Sequence, residues 1–135
     1  MWSARHKRVV LGAALVVVSL AGAGGAELVS LQRDKLAVAI ALTGGDPDRA
    51  PLLITKFGCG GCHQVPGVPG ADGKVAPPLS GLLDRVYIGG TARNTPENLV
   101  AWIVKPQDFS PHSAMPETGI SAAEARDVAA FLYAH

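Results

Sequence analysis

Cys59-Gly60-Gly61-Cys62-His63 is the stretch on which the fold turns. Two thiols three residues apart lie on one helical turn and reach the same edge of a flat group, and the residue that follows points its imidazole at the centre of that group. This is the C-x-x-C-H pattern of covalent c-type haem attachment, in which the thiols add to the vinyl groups and the imidazole binds iron. The rival chemistries need more than the chain offers. A thioredoxin-like dithiol requires an alternating strand and helix pattern around the cysteines, which is missing. A zinc site requires four ligands, and after Cys59, Cys62 and His63 no second paired cluster follows. These are the chain's only 2 cysteines, and a disulfide between them would close too small a loop to add much stability.

Working outward, Gln64 to Gly81 holds Pro66, Pro69, Pro77 and Pro78 with Gly67, Gly70, Gly73 and Gly81, so the motif is followed by a long ordered loop without regular structure. Loops of this length in compact domains usually wrap something functional. Upstream, Gly44-Gly45-Asp46-Pro47-Asp48 marks a boundary, with Asp46 as N-cap and Pro47 in the first turn of a helix running to about Phe57. Pro51 interrupts that helix's hydrogen bonding and predicts a true start at Asp48 or later. Thr95-Pro96-Glu97 opens a second helix bearing Leu99, Trp102 and Ile103, which Lys105-Pro106 ends. Ser121-Ala122-Ala123-Glu124 is a capping box for a last helix with Ala125, Val128, Ala129 and Leu132 at helical spacing. Nothing alternates like a strand. The expected class is all-α, three to four helices joined by irregular chain.

Aromatic residues make up 5% of the chain, thin for a core built of protein alone, and residues 46–135 form a domain small enough to be marginal without help. A bound group at the centre answers both. If its iron is closed to substrates, a ligand must stand opposite His63. Met115 is the only methionine of the domain, in the irregular stretch Ser113-Ala114-Met115-Pro116, where a thioether can face inward; His112 is the rival ligand. His6 and His135 are expected in solvent.

The N-terminus reads as a targeting element. Arg5, Lys7 and Arg8 precede Val9 to Ala26, a charge-free run whose helical length of about 27 Å nearly matches a bilayer core. Two outcomes stay open: an uncleaved anchor, or a signal peptide cut near Ala21-Gly22-Ala23. Either way the basic cluster stays cytoplasmic and the rest crosses. The expected organisation is 1–26 signal-anchor or signal peptide, 27–45 a stalk with a short helix, and 46–135 the functional domain. With 12 basic and 11 acidic residues the net charge is +1, which argues against a nucleic-acid surface.

With C-G-G-C-H, A-P-P-L and S-A-M-P in order, residues 46–135 resemble a class I cytochrome c. Asn94 through Leu99, Trp102-Ile103, Pro106-Gln107 and Met115-Pro116 are similar to the cytochrome c domain fused to subunit II of some bacterial haem-copper oxidases. The resemblance implies a small cytochrome c fold around one covalent haem c. The first and last helices would cross, with Phe57 facing Val128, Phe131 and Leu132. Cys59, Cys62 and His63 would hold the haem, the carbonyl of Pro77 would accept from the free nitrogen of His63, and Met115 would be the distal ligand. Trp102 would lie near a haem propionate or simply in the core, and Arg93 and Tyr87 are further propionate candidates. Ala76, where the family more often has glycine, and Pro51 depart from the pattern.

The function these readings imply is one-electron carriage between respiratory membrane complexes, from a quinol-oxidising complex toward a terminal oxidase. A His-Met pair makes iron a carrier rather than a catalyst, because a soft thioether favours the ferrous state and leaves no open position. The domain would sit on the periplasmic side of the inner membrane, anchored through residues 9–26, with no small-molecule substrate. Two alternatives compete: a haem enzyme or gas sensor with a labile Met115, and a fixed subunit of an oxidoreductase complex.

Overall fold

Capping decides where this chain turns helical. In the computed structural model, which describes residues 4–135 with side chains from Gly24 onward, the Asp46 carboxylate accepts from the Asp48 N–H and opens a 3-10 turn, Pro47–Arg49. Helix α2, Ala50–Lys56, follows with Pro51 in its first turn, where a missing N–H costs no intrahelical bond. The delayed start predicted from Pro51 is what forms. Helix α3, Pro96–Val104, begins at Thr95, whose hydroxyl accepts from the Asn98 N–H. Helix α4, Ala122–Ala134, begins at a complete capping box between Ser121 and Glu124.

Ahead of these lies helix α1, Ala4–Thr43. The chain divides between Asp34 and Lys35, and the unit Lys35–His135 carries the candidate site. That unit takes in the end of the expected stalk: Ala39 and Thr43 are buried, and the helix persists to Thr43. Among the described residues no helix is long and apolar enough to cross a membrane. The segment expected to do so, residues 9–26, lies largely outside the residues whose side chains are described.

Helix α4 is the centre of the unit. It is buried from Ala125 through Ala134 except at Arg126, and it packs on α2, on α3 and on the turn Pro47–Arg49. Ala125, Ala129 and Ala130 are wholly buried, and such small side chains let neighbouring backbones come close. Leu53 and Ile54 from α2, Leu99, Trp102 and Ile103 from α3, and Val128, Phe131 and Leu132 from α4 form one core. Phe57 packs against that core at the end of α2. Asp127, buried on α4, accepts from the Asp46 N–H at 2.8 Å and pairs with the Arg49 guanidinium at 3.0 Å, tying the entry of the domain to its last helix.

One element departs from the all-α expectation. Tyr87–Ile88 (β1) pairs antiparallel with Ala92–Arg93 (β2), in register Tyr87 to Arg93 and Ile88 to Ala92. Two residues are too few to show alternation, so hydrophobic periodicity carries no trace of it. The signal that remains is Gly89-Gly90, both at positive φ, which only glycine adopts freely at such a turn.

At the start of α4, Glu124 accepts from the backbone N–H and hydroxyl of Ser121 and from Lys56 Nζ at 2.9 Å. The Ser121 N–H first, then Lys56 and the Ser121 hydroxyl, hold its carboxyl down at about 2. Because the folded value lies below the unfolded one, this contribution is present above the ordinary carboxyl range, about pH 4.3, and fades as pH falls toward 2. Thermal midpoints of the native protein and of Glu124→Gln are expected to differ at pH 7 and converge near pH 2.

Candidate metal centre

The motif forms a single tight turn. Gly58, at φ 73°, breaks α2 and starts a 3-10 turn over Cys59–Gly61, and the His63 N–H donates to the Cys59 carbonyl at 3.0 Å. Cys59, half-buried against the core, and the exposed Cys62 therefore stand one turn apart with His63 beside them. They are not bonded to each other. Burial pushes the Cys59 thiol up, the opposite of the lowered thiol on which a redox dithiol depends.

The proline-rich loop wraps directly onto this turn. Gly73 N–H donates to the Gly60 carbonyl at 3.0 Å, and Val75 and Ala76 N–H groups both donate to the Cys62 carbonyl, at 3.1 and 2.9 Å. The approach is close enough that a Cβ on Gly60 would meet Ala71 at 2.7 Å and one on Gly73 would meet the backbone of Cys62 at 2.6 Å. The wrap brings Pro77 to His63. Nδ1 of His63 donates to the Pro77 carbonyl at 2.7 Å, which fixes the tautomer and leaves Nε2 with its lone pair free.

Two residues to which sequence reasoning gave no role hold this loop and the segment that follows it. Arg85 donates from its guanidinium to the carbonyls of Pro78 and Ser80. Asn94 donates to the carbonyls of Leu82 at 2.7 Å and Arg85 at 2.8 Å, and accepts from the Tyr133 hydroxyl of α4 at 2.8 Å. Burial first, then the charge of Glu97, pushes Tyr133 up to about 12, so it stays a donor throughout the physiological range. Asn94 could have been suspected from its place beside the Thr95 cap; Arg85, a lone base in an irregular stretch, carried no signal.

Met115 is half-buried and packs against the same core as Cys59. Its N–H donates to the Ser113 hydroxyl at 3.2 Å, and its carbonyl accepts from Gln107 Nε2 at 2.8 Å. His112 is exposed. Trp102 lies in the core, its ring 5.9 Å from that of Phe109, and a Cβ on Gly89 would collide with it. Arg93 and Tyr87 are exposed on the hairpin. His135, expected in solvent, is exposed but stacks on Phe131 at 4.0 Å. A groove of about 520 Å³ lies elsewhere, between the end of α1, α3 and the start of α4, and none of the candidate ligands lines it.

This donor set fits a covalently held haem. It offers two unpaired thiols one turn apart, an imidazole oriented through Nδ1 with Nε2 available, and a soft thioether from a separate loop. Val75, Val86 and Tyr87, in or after the wrapped loop, are large apolar side chains that the rest of the chain leaves exposed. Among known proteins, the family model described as Cytochrome c matches residues 49–134. No curated protein and no solved structure matches the chain.

Proposed function

The chain belongs to the cytochrome c family of haem electron-transfer proteins, and on that premise we propose that it carries one electron at a time between respiratory membrane complexes, toward a terminal oxidase. What carries the reading is the His63 imidazole, held through Nδ1 at 2.7 Å from the Pro77 carbonyl and one turn from two unpaired thiols. Bound haem c supplies an iron that takes up and gives back a single electron.

The chain's own residues determine what that iron can do. The Pro77 carbonyl keeps the ring of His63 in one orientation and raises its basicity. Met115 would be the second ligand to the iron, through a thioether, a soft donor that favours the reduced state and raises the potential. With His63 and Met115 both ligating, no position would be left for O₂ or peroxide. Cys59 and Cys62 would hold the haem covalently.

The same reading places the domain on the periplasmic side of the bacterial inner membrane, tethered by residues 9–26. The basic flank of Arg5, Lys7 and Arg8 and the charge-free run after it support this. Tethering keeps a carrier at high effective concentration beside partners in the same membrane. Sequencing the N-terminus of protein from salt-washed membranes is expected to find residues 1–26 retained; a start at Gly24 in the soluble fraction would replace the anchor with a cleaved signal.

The decisive measurement on the whole protein is a potentiometric titration followed by absorbance. One reversible one-electron wave is expected, with carbon monoxide binding to the reduced form only weakly and slowly. Prompt carbon monoxide binding by the native protein would sink the carrier and favour a haem enzyme or gas sensor.

A further inference from the structure

We infer that Gln107 is the positioning residue of the methionine loop, holding Met115 in ligating position from the end of α3. The inference rests on the proposal above that Met115 is the distal ligand. Gln107 stands in the 3-10 turn Pro106–Asp108 immediately after α3. Its Nε2 donates to two carbonyls of the loop, that of Met115 at 2.8 Å and that of Ser113 at 3.4 Å. Two acceptors converging on one amide nitrogen fix the amide's orientation, because flipping it would set a third oxygen against them.

That orientation comes at a cost. It leaves Oε1 buried with no protein hydrogen-bond partner among the described residues. An apolar side chain of the same length would fill the space without an unpaired oxygen, so packing alone does not call for glutamine here. What glutamine adds is the pair of hydrogen bonds to the loop. The loop needs them, since from Ser110 to Ile120 it forms no helix or strand that would hold itself in place.

Beside the packing of its side chain on the core, the other hydrogen-bond and backbone constraints on Met115 act from nearby. Ser113 Oγ accepts its N–H at 3.2 Å, and Pro116 restricts the conformation of the residue before it. Both are local and move with the loop. Gln107 alone of the three ties the methionine to the end of a packed helix, so it governs how readily the thioether leaves its position.

The test compares Gln107→Met, which keeps length and apolar packing but removes the donor, with the native protein and Met115→Ala, all haem-loaded. Carbon monoxide affinity of the reduced form, reduction potential and thermal midpoint are measured on each. For Gln107→Met, affinity for carbon monoxide is expected to rise about tenfold, as for one lost hydrogen bond, with a lower potential and a thermal midpoint near native. A Gln107→Met protein that changes only in thermal midpoint would reduce Gln107 to a structural residue and overturn the inference. If Met115→Ala itself leaves carbon monoxide binding unchanged, the ligand assignment fails first, and this inference with it. Should Gln107→Met yield no loaded protein, Gln107→Glu keeps the shape and is held to the same outcomes.

Discussion

Cys59→Ala combined with Cys62→Ala is expected to yield a chain with neither haem nor fold. Much of the core that would remain is alanine: Ala39, Ala50, Ala71, Ala92, Ala125 and Ala129 are buried in it, with Trp102, Phe131 and Tyr133 its only buried aromatics among the described residues. Side chains this small cannot close the centre of a domain by themselves. In and after the wrapped loop Val75 is 83% exposed and Val86 63%, apolar surface that the chain itself does not cover. Each 100 Å² of apolar surface removed from water is worth about 2.5 kcal/mol, against a whole-domain stability of about 5–15 kcal/mol. Losing about 200–400 Å² of such contact with the haem would therefore remove a share comparable to the total. Haem staining of a denaturing gel and a circular dichroism melt check this, and a stable colourless double variant would overturn the haem assignment. Either single variant keeps one attachment point and is expected to retain haem with a lower thermal midpoint.

The helices were legible because their signals are local. Asp46, Thr95 and the Ser121–Glu124 box each act within one turn, and each cap forms as its residues predict. The motif turn was legible for the same reason, and the family resemblance supplied the contact between Pro77 and His63. What could not be read were ties between residues far apart in sequence whose types are common in loops. Asn94 reaches Tyr133 across 39 positions, and Asp127 reaches the Asp46 N–H across 81. Nothing in the composition around Asp127 distinguishes it from a solvated polar residue, and Asn94 showed only through its place beside the Thr95 cap and in the resemblance. Gln107 was visible only as part of the resemblance, and its contact with Met115 depends on how the chain leaves α3. The hairpin at Tyr87–Arg93 escaped because its strands are shorter than the period that would reveal them.

Met115→Ala is expected to leave haem attached and the domain folded while changing what the iron does. Attachment depends on Cys59 and Cys62, and the loop backbone keeps a donor from Gln107 and an acceptor from Ser113, neither of which involves the methionine side chain. Removing the thioether opens one coordination position, so the reduced protein should bind carbon monoxide readily. The potential should fall on the order of a tenth of a volt or more, since axial ligands spread haem potentials over about 0.8 V. His112→Ala provides the contrast. His112 is exposed and lies three residues from Met115 on the same loop, close enough in sequence to compete for the role but facing solvent. Its replacement is expected to leave the spectrum, potential and carbon monoxide binding at native values. If His112→Ala opens the iron and Met115→Ala does not, the distal ligand is a histidine, and with a nitrogen in place of sulfur the potential of the native protein should lie well below that of a His-Met carrier.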